Sequence, residues 1–202
     1  MRSVNPQIHP QQHHQHPHHI ELQEVQASRI AVDPSGQFAA LAGPKELTVF
    51  ALDQPIQLHT FPLNIRSDPA GLAWHPDDPG QLAVVRHTRC ELLKWDLVEG
   101  RLSFLHSLGG YVRPITSFDW SPCHPHLLVT ASADQFRAIC VWDLRDLTRP
   151  TRAIESLSAP SVIKWSRVVQ AKFACSHRNE IRLWDLRTFL IATILTPRFR
   201  LT

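Results

Sequence analysis

The sequence predicts an all-β fold in which four short antiparallel sheets stack around an axis as the blades of a β-propeller. Three observations carry that expectation. A strand ending recurs as "ELLKWDL", "AICVWDLR" and "EIRLWDLR", a second aromatic register precedes it, and prolines and polar turns cut the chain between them into runs of strand length. The endings align Phe50, Trp95, Trp142 and Trp184 at spacings of 45, 47 and 42 residues, around the roughly 40–45-residue period of four-stranded propeller blades.

The second register is independent of the first. Val32, Trp74, Trp120 and Trp165 lie 18, 21, 22 and 19 residues ahead of the corresponding aromatic, and the two registers together hold all six tryptophans. Such a period identifies packing residues, so Phe50, Trp74, Trp95, Trp120, Trp142, Trp165 and Trp184 are expected as the blade core. Base-stacking would need exposed aromatics interleaved with basic side chains.

Each repeat divides into four strands. The first is a short apolar run, broken two positions past the aligned residue by Pro34, Pro76 or Pro122 in three of the four repeats. There the missing N–H ends a strand and the fixed φ begins a turn. The second runs are "QFAALAG", "QLAVV", "HLLVTAS" and "KFACS". The third ends in Trp-Asp or its substitute, and a fourth follows, as in "RLSFLHSL" or "FLIATIL". The expected blades are 24–64, 65–109, 110–157 and 158–197, with a short tail at 198–202. Residues 1–23, with six histidines among Gln and Pro, cannot bury enough surface to offset their ordering and are expected to be a disordered tail. Its imidazoles lack the fixed geometry of a metal site.

Composition narrows the function classes. The chain has 202 residues, 43% hydrophobic and 19% charged, enough for a domain-sized core. A net charge of +3 from scattered basic residues gives no nucleic-acid signature. Cys90, Cys123, Cys140 and Cys175 show no metal or disulfide spacing, so free thiols are expected. No apolar run reaches the length of a membrane span and no secretory pattern opens the chain, which points to the cytoplasm. Phosphate loops, nucleophile elbows and zinc-protease motifs are missing from the sequence, so a non-catalytic, cofactor-free protein is expected.

The segments "LLVTASADQFRAICVWDLR" and "KFACSHRNEIRLWDLR" resemble WD-repeat propeller blades, and the resemblance covers about 24–197. More narrowly, "IELQEVQASRIAVDPSGQFAALAG", "ITSFDWSPCHPHLLVTASAD" and "SVIKWSRVVQAKFACSHRNEIRLWDLR" resemble the opening blades of the RWD- and RING-containing WD-repeat subunits of GATOR (SEA) nutrient-sensing complexes. The resemblance implies a docking scaffold that contacts other protein subunits, acts upstream of TOR signalling, and sits peripherally at the lysosomal or vacuolar membrane through its complex. It also implies a seven-bladed ring, of which four blades are present. The chain is thus expected to be an incomplete propeller: a fragment, an alternative product, or a part completed by another polypeptide.

WD-repeats often brace each blade with a hydrogen-bonded chain of Asp, His, Ser or Thr, and Trp. Here Gly110 stands in the place expected for the histidine, Asp134 alone matches the hairpin aspartate, with Gln135 and Phe136 as an insertion, and Arg89 and Arg178 occupy the equivalent places elsewhere. These chains are therefore expected to be broken, leaving packing to hold the blades. The two "WDLR" elements also resemble the Trp-Asp-x-Arg motif of propellers that bind the cullin-4 ligase adaptor. That makes Asp143, Arg145, Asp185 and Arg187 candidate partner-binding residues and a ligase substrate receptor the alternative function. Against it stands a simpler expectation, that each arginine pairs with a neighbouring carboxylate at the surface.

Overall fold

A computed structural model describes residues 26–54, 57–63 and 68–196; the expected tails at 1–23 and 198–202 lie outside the described residues. Sixteen strands form four antiparallel sheets, each in simple sequential order. Blade one holds β1 (Arg29–Val32) to β4 (His59–Pro62), with β2 (Phe38–Ala42) and β3 (Glu46–Ala51) between. Blade two runs through β5 (Gly71–Trp74), β6 (Gln81–Arg86), β7 (Arg89–Asp96) and β8 (Arg101–Leu108). Blade three follows with β9 (Ile115–Trp120), β10 (Leu127–Ser132), β11 (Ile139–Asp143) and β12 (Arg152–Ile154). Blade four comprises β13 (Ile163–Trp165), β14 (Lys172–His177), β15 (Glu180–Asp185) and β16 (Leu190–Leu195).

Alternation along these strands sends every second side chain to one face, so each blade offers an apolar face to both neighbours. Three apolar layers result, one between each consecutive pair of blades, and each holds two tryptophans: Trp74 and Trp95, Trp120 and Trp142, Trp165 and Trp184. All six are buried and face the preceding blade; Phe50 is buried too, on the face of blade one turned away from blade two. Two indole N–H groups reach across the interface, Trp74 to the Ala31 carbonyl at 3.1 Å and Trp120 to the Ala73 carbonyl at 3.4 Å. In the last interface Asp119 takes over. Its buried carboxylate accepts the Trp165 amide at 2.9 Å and meets Lys164 and Arg167 at 3.3 Å.

Consecutive blades pack through their first strands, whereas blades one and four share no comparable packing among the described residues. The four blades form an open arc. At its two ends Ile30 and Val32 of blade one and Val162 and Ile181 of blade four are exposed.

The position after each first-register residue has a common task that spacing did not disclose. Asp33, His75, Ser121 and Ser166 fold back and accept amides of the following turn: Gln37 and Phe38, Asp77 and Asp78, His124, and Val168 and Val169. These are Asx- and Ser-type turn caps, with a histidine ring filling the same role once. His75 also joins two blades, since its Nε2 donates to the Pro125 carbonyl at 2.8 Å while Nδ1 accepts the turn amides.

The expectation that the bracing chains are broken is corrected in blades three and four. Gly110 does not stand in for the histidine; Tyr111, one residue on, does. Its hydroxyl donates to Thr130 Oγ1, and the Trp142 indole N–H lies 3.1 Å from both oxygens. Asp134 lies in the hairpin as expected, but its carboxylate accepts the Val112 and Phe136 amides, both at 3.0 Å, rather than a ring nitrogen. Blade four builds a different chain. Trp184 Nε1 donates to Cys175 Sγ at 3.2 Å, the thiol lies 3.0 Å from His177 Nε2, and His177 Nδ1 donates to the Ser158 carbonyl at 2.9 Å. Blade two has no such chain among the described residues: the Trp95 indole N–H is buried without a partner, and the ring packs edge-on among Phe38, His59 and Phe61.

A buried network of this kind is costly to leave half-made. Tyr111→Phe is expected to lower stability by about 1–2 kcal/mol, read as a fall in the urea midpoint. The double substitution with Thr130→Val should cost less than the sum of the two, because the hydroxyls share one hydrogen bond.

Candidate docking surface

The "WDLR" elements close the third strands of blades three and four, where the chain must turn into the fourth. In each, the aspartate after the tryptophan caps the turn: Asp143 accepts the Arg145 amide at 3.0 Å and Asp185 the Arg187 amide at 2.9 Å. The same carboxylates then hold the arginine side chains. Arg145 Nη2 lies 2.6 Å from Asp143 Oδ2 with Nε at 2.9 Å from Oδ1, and Arg187 repeats this on Asp185 at 2.6 and 3.0 Å. In blade two Asp96 caps the turn alone, through the Val98 and Glu99 amides, because the following residues are Leu97 and Val98 and no arginine stands two positions on.

Electrostatics follow from that geometry. The Arg145 guanidinium pulls the Asp143 carboxyl down to about 2, Arg187 holds Asp185 lower still, and each carboxylate raises its arginine in return. Both arginine side chains stay exposed, 71% and 74%, but their donor forks are directed inward at their own strand ends. The structure thus brings Asp143 to Arg145 and Asp185 to Arg187, and does not bring the two pairs together into one site.

The turns between first and second strands and between third and fourth carry both signs, with Asp33, Asp53, Asp77, Asp78 and Asp146 beside Arg145, Arg149, Arg167 and Arg187, and the opposite end of the blades carries Arg89, Arg113, Arg137 and Arg178 with Asp134 and Glu155. None of Arg89, Arg113, Arg137 and Arg178 forms an ion pair among the described residues. Arg137 escaped sequence reasoning; Gly110, which leaves room for its guanidinium, was the available signal. Arg89 and Arg178 were noted only as replacements for a hairpin aspartate. Exposed apolar side chains accompany them, with Val112, Phe136 and Leu157 on the same loops of blade three.

No protein-family model matches the chain. Among curated proteins it is 33% identical over 171 residues to the GATOR2 complex protein WDR59 of Gallus gallus, covering 83% of this chain and 17% of that protein. The human GATOR2 complex protein WDR59 is 32% identical over the same shares. The Maintenance of telomere capping protein 5 of Saccharomyces cerevisiae is 30% identical over 165 residues, 78% of this chain and 14% of that protein. With four sequential four-stranded sheets and tryptophans at blade spacing, the matches decide the family. The chain is a WD-repeat β-propeller. Two of these relatives are named as GATOR2 complex proteins, and the chain spans less than a fifth of the length of the curated relatives it matches. Among the described residues no helix is long and apolar enough to cross a membrane.

Two outcomes are expected here. Arg145→Ala and Arg187→Ala should leave the denaturation midpoint and the circular dichroism spectrum unchanged, since exposed pairs contribute little. His177 predicts an acid-sensitive fourth blade. Burial depresses its basicity against a partial gain from the Ser158 carbonyl, so the unfolded chain binds the extra proton. The contribution is whole above the ordinary histidine value of 6.5 and falls as pH drops below it. Between neutral pH and about pH 5, the urea midpoint of the wild type should fall more steeply than that of His177→Gln.

Proposed function

We propose that this propeller is a non-catalytic scaffold of a GATOR2-type complex, holding neighbouring subunits in the assembly that governs TOR signalling in response to amino acids. The observation that carries it is 33% identity across 83% of the chain to a protein named as a GATOR2 complex subunit, over the region in which the blade geometry is kept. Supporting it, the loops that hold Arg113 and Arg137 combine arginines without ion pairs among the described residues with exposed Val112 and Phe136, a composition suited to protein contact. Under this reading the protein is cytoplasmic and reaches the lysosomal or vacuolar surface only through its complex. The cullin-4 reading asked for guanidinium forks turned toward a partner, and those of Arg145 and Arg187 are held by Asp143 and Asp185.

Affinity purification of the full chain from its native cytosol, beside an unrelated propeller, tests the proposal. Co-purification of GATOR2-type subunits is the expected result. Selective recovery of a cullin-4 adaptor, or of chaperones alone, would overturn it.

A further inference from the structure

Between blades two and three a groove of about 600 Å³ runs along the side of the arc. Three arginines from separate segments line it: Arg89 at the start of β7, Arg137 ahead of β11, and Arg149 in the connection from β11 to β12. None forms an ion pair among the described residues. The nearest acids, Asp134 and Asp146, are held low first by the Val112 amide and the Thr148 hydroxyl and further by the charges of Arg137 and Arg149, but neither pairs directly with an arginine of the groove. The arginine donors in the groove are therefore left without a directly paired carboxylate among the described residues.

Arg137 is the key member. It is half-buried, and its hydrogen bond within the described residues is a long one, 3.5 Å from Nη1 to the Gly109 carbonyl. It passes directly over Gly110, where a Cβ would lie 2.5 Å from Nη1 and where the backbone is left-handed at φ +85°. The left-handed backbone favours glycine at that point, and its lack of a Cβ leaves the guanidinium this path. A guanidinium held in such a place, with most of its donor fork unused, is prepared for an anion.

The floor is equally prepared. Tyr111 and Trp142 line the groove, and the hydrogen bonds they share with Thr130 fix both rings. Three forks around a concave, aromatic-floored groove suit an extended chain with several negative side groups.

We infer that the groove between blades two and three docks an acidic segment of a partner protein, its carboxylates or phosphoserine held by Arg89, Arg137 and Arg149. The inference deepens the scaffold reading and rests on it for the existence of a protein partner, but it is tested by direct binding, so the two fail separately.

The test is fluorescence anisotropy with the full chain and labelled glutamate-rich and phosphoserine-containing peptides, near physiological salt, with a glutamine-rich peptide as control. Saturable binding of either anionic peptide is expected, weakened about tenfold or more by the triple substitution Arg89→Ala, Arg137→Ala, Arg149→Ala and unchanged by Arg101→Ala on the exposed edge. Circular dichroism checks the fold of each variant, and the single exposed change Arg149→Glu, which leaves the core untouched, should also weaken binding. Binding of neither anionic peptide, binding that ignores both sets of substitutions, or binding to anionic vesicles in place of peptide would overturn the inference.

Discussion

A four-stranded twisted sheet has two apolar faces and can cover neither by itself, so each blade of this propeller exists by virtue of its neighbour. The interfaces are built around tryptophan because a large flat ring spans the wedge between diverging sheets better than an aliphatic side chain. Each tryptophan faces the preceding blade, which gives the stack a direction: a blade supplies the rings that close the interface behind it. Where there is no preceding sheet among the described residues, the register residue Val32 of blade one is exposed rather than buried.

Packing alone does not fix a ring that carries an N–H. The three interfaces answer this in different ways, and the differences explain the sequence's departures from a uniform repeat. Blade three gives the Trp142 donor two hydroxyls, blade four gives Trp184 a thiol backed by a histidine, and blade two surrounds Trp95 with aromatic edges and leaves its N–H unmet. Burial raises both the Cys140 and Cys175 thiols to about 11, so each remains a neutral S–H within its layer. A neutral thiol can donate, and that lets Cys175 sit between an indole donor and an imidazole acceptor.

The period was legible because tryptophan is scarce and its positions are set by geometry that recurs. Strand order and the interface layers followed from the same spacing. The hydrogen-bonded chains were not legible, for a physical reason: they depend on which residue can reach, not on which residue stands at a fixed offset. Tyr111 is longer than histidine and braces Trp142 from its own loop, while His177 arrives from β14 rather than from the loop before the first strand. In β7 the register with β8 shifts between Leu92 and Leu93, an irregularity that no count along the chain discloses. The turn caps at Asp33, His75, Ser121 and Ser166 were hidden by their chemical variety, although all four do the same work.

The arginines show how a motif can mislead where three-dimensional placement does not. In "WDLR" the arginine stands two residues from an aspartate that already caps a turn, so the fold presents it with a carboxylate at short range, and one edge of its guanidinium is taken up. Arg89, Arg137 and Arg149 belong to no motif and are far apart in sequence, yet they meet at one groove because blade stacking brings a hairpin, a loop and a strand connection to the same edge. Arg137 is half-buried without a direct ion pair, so an anion from outside the chain would add the close contact that Asp134, engaged with the Val112 and Phe136 amides, does not make. Gly110 is consistent with that view: a glycine weakens a loop through chain entropy, and what this one provides is a left-handed turn and clearance for the Arg137 guanidinium beside Tyr111 and Trp142.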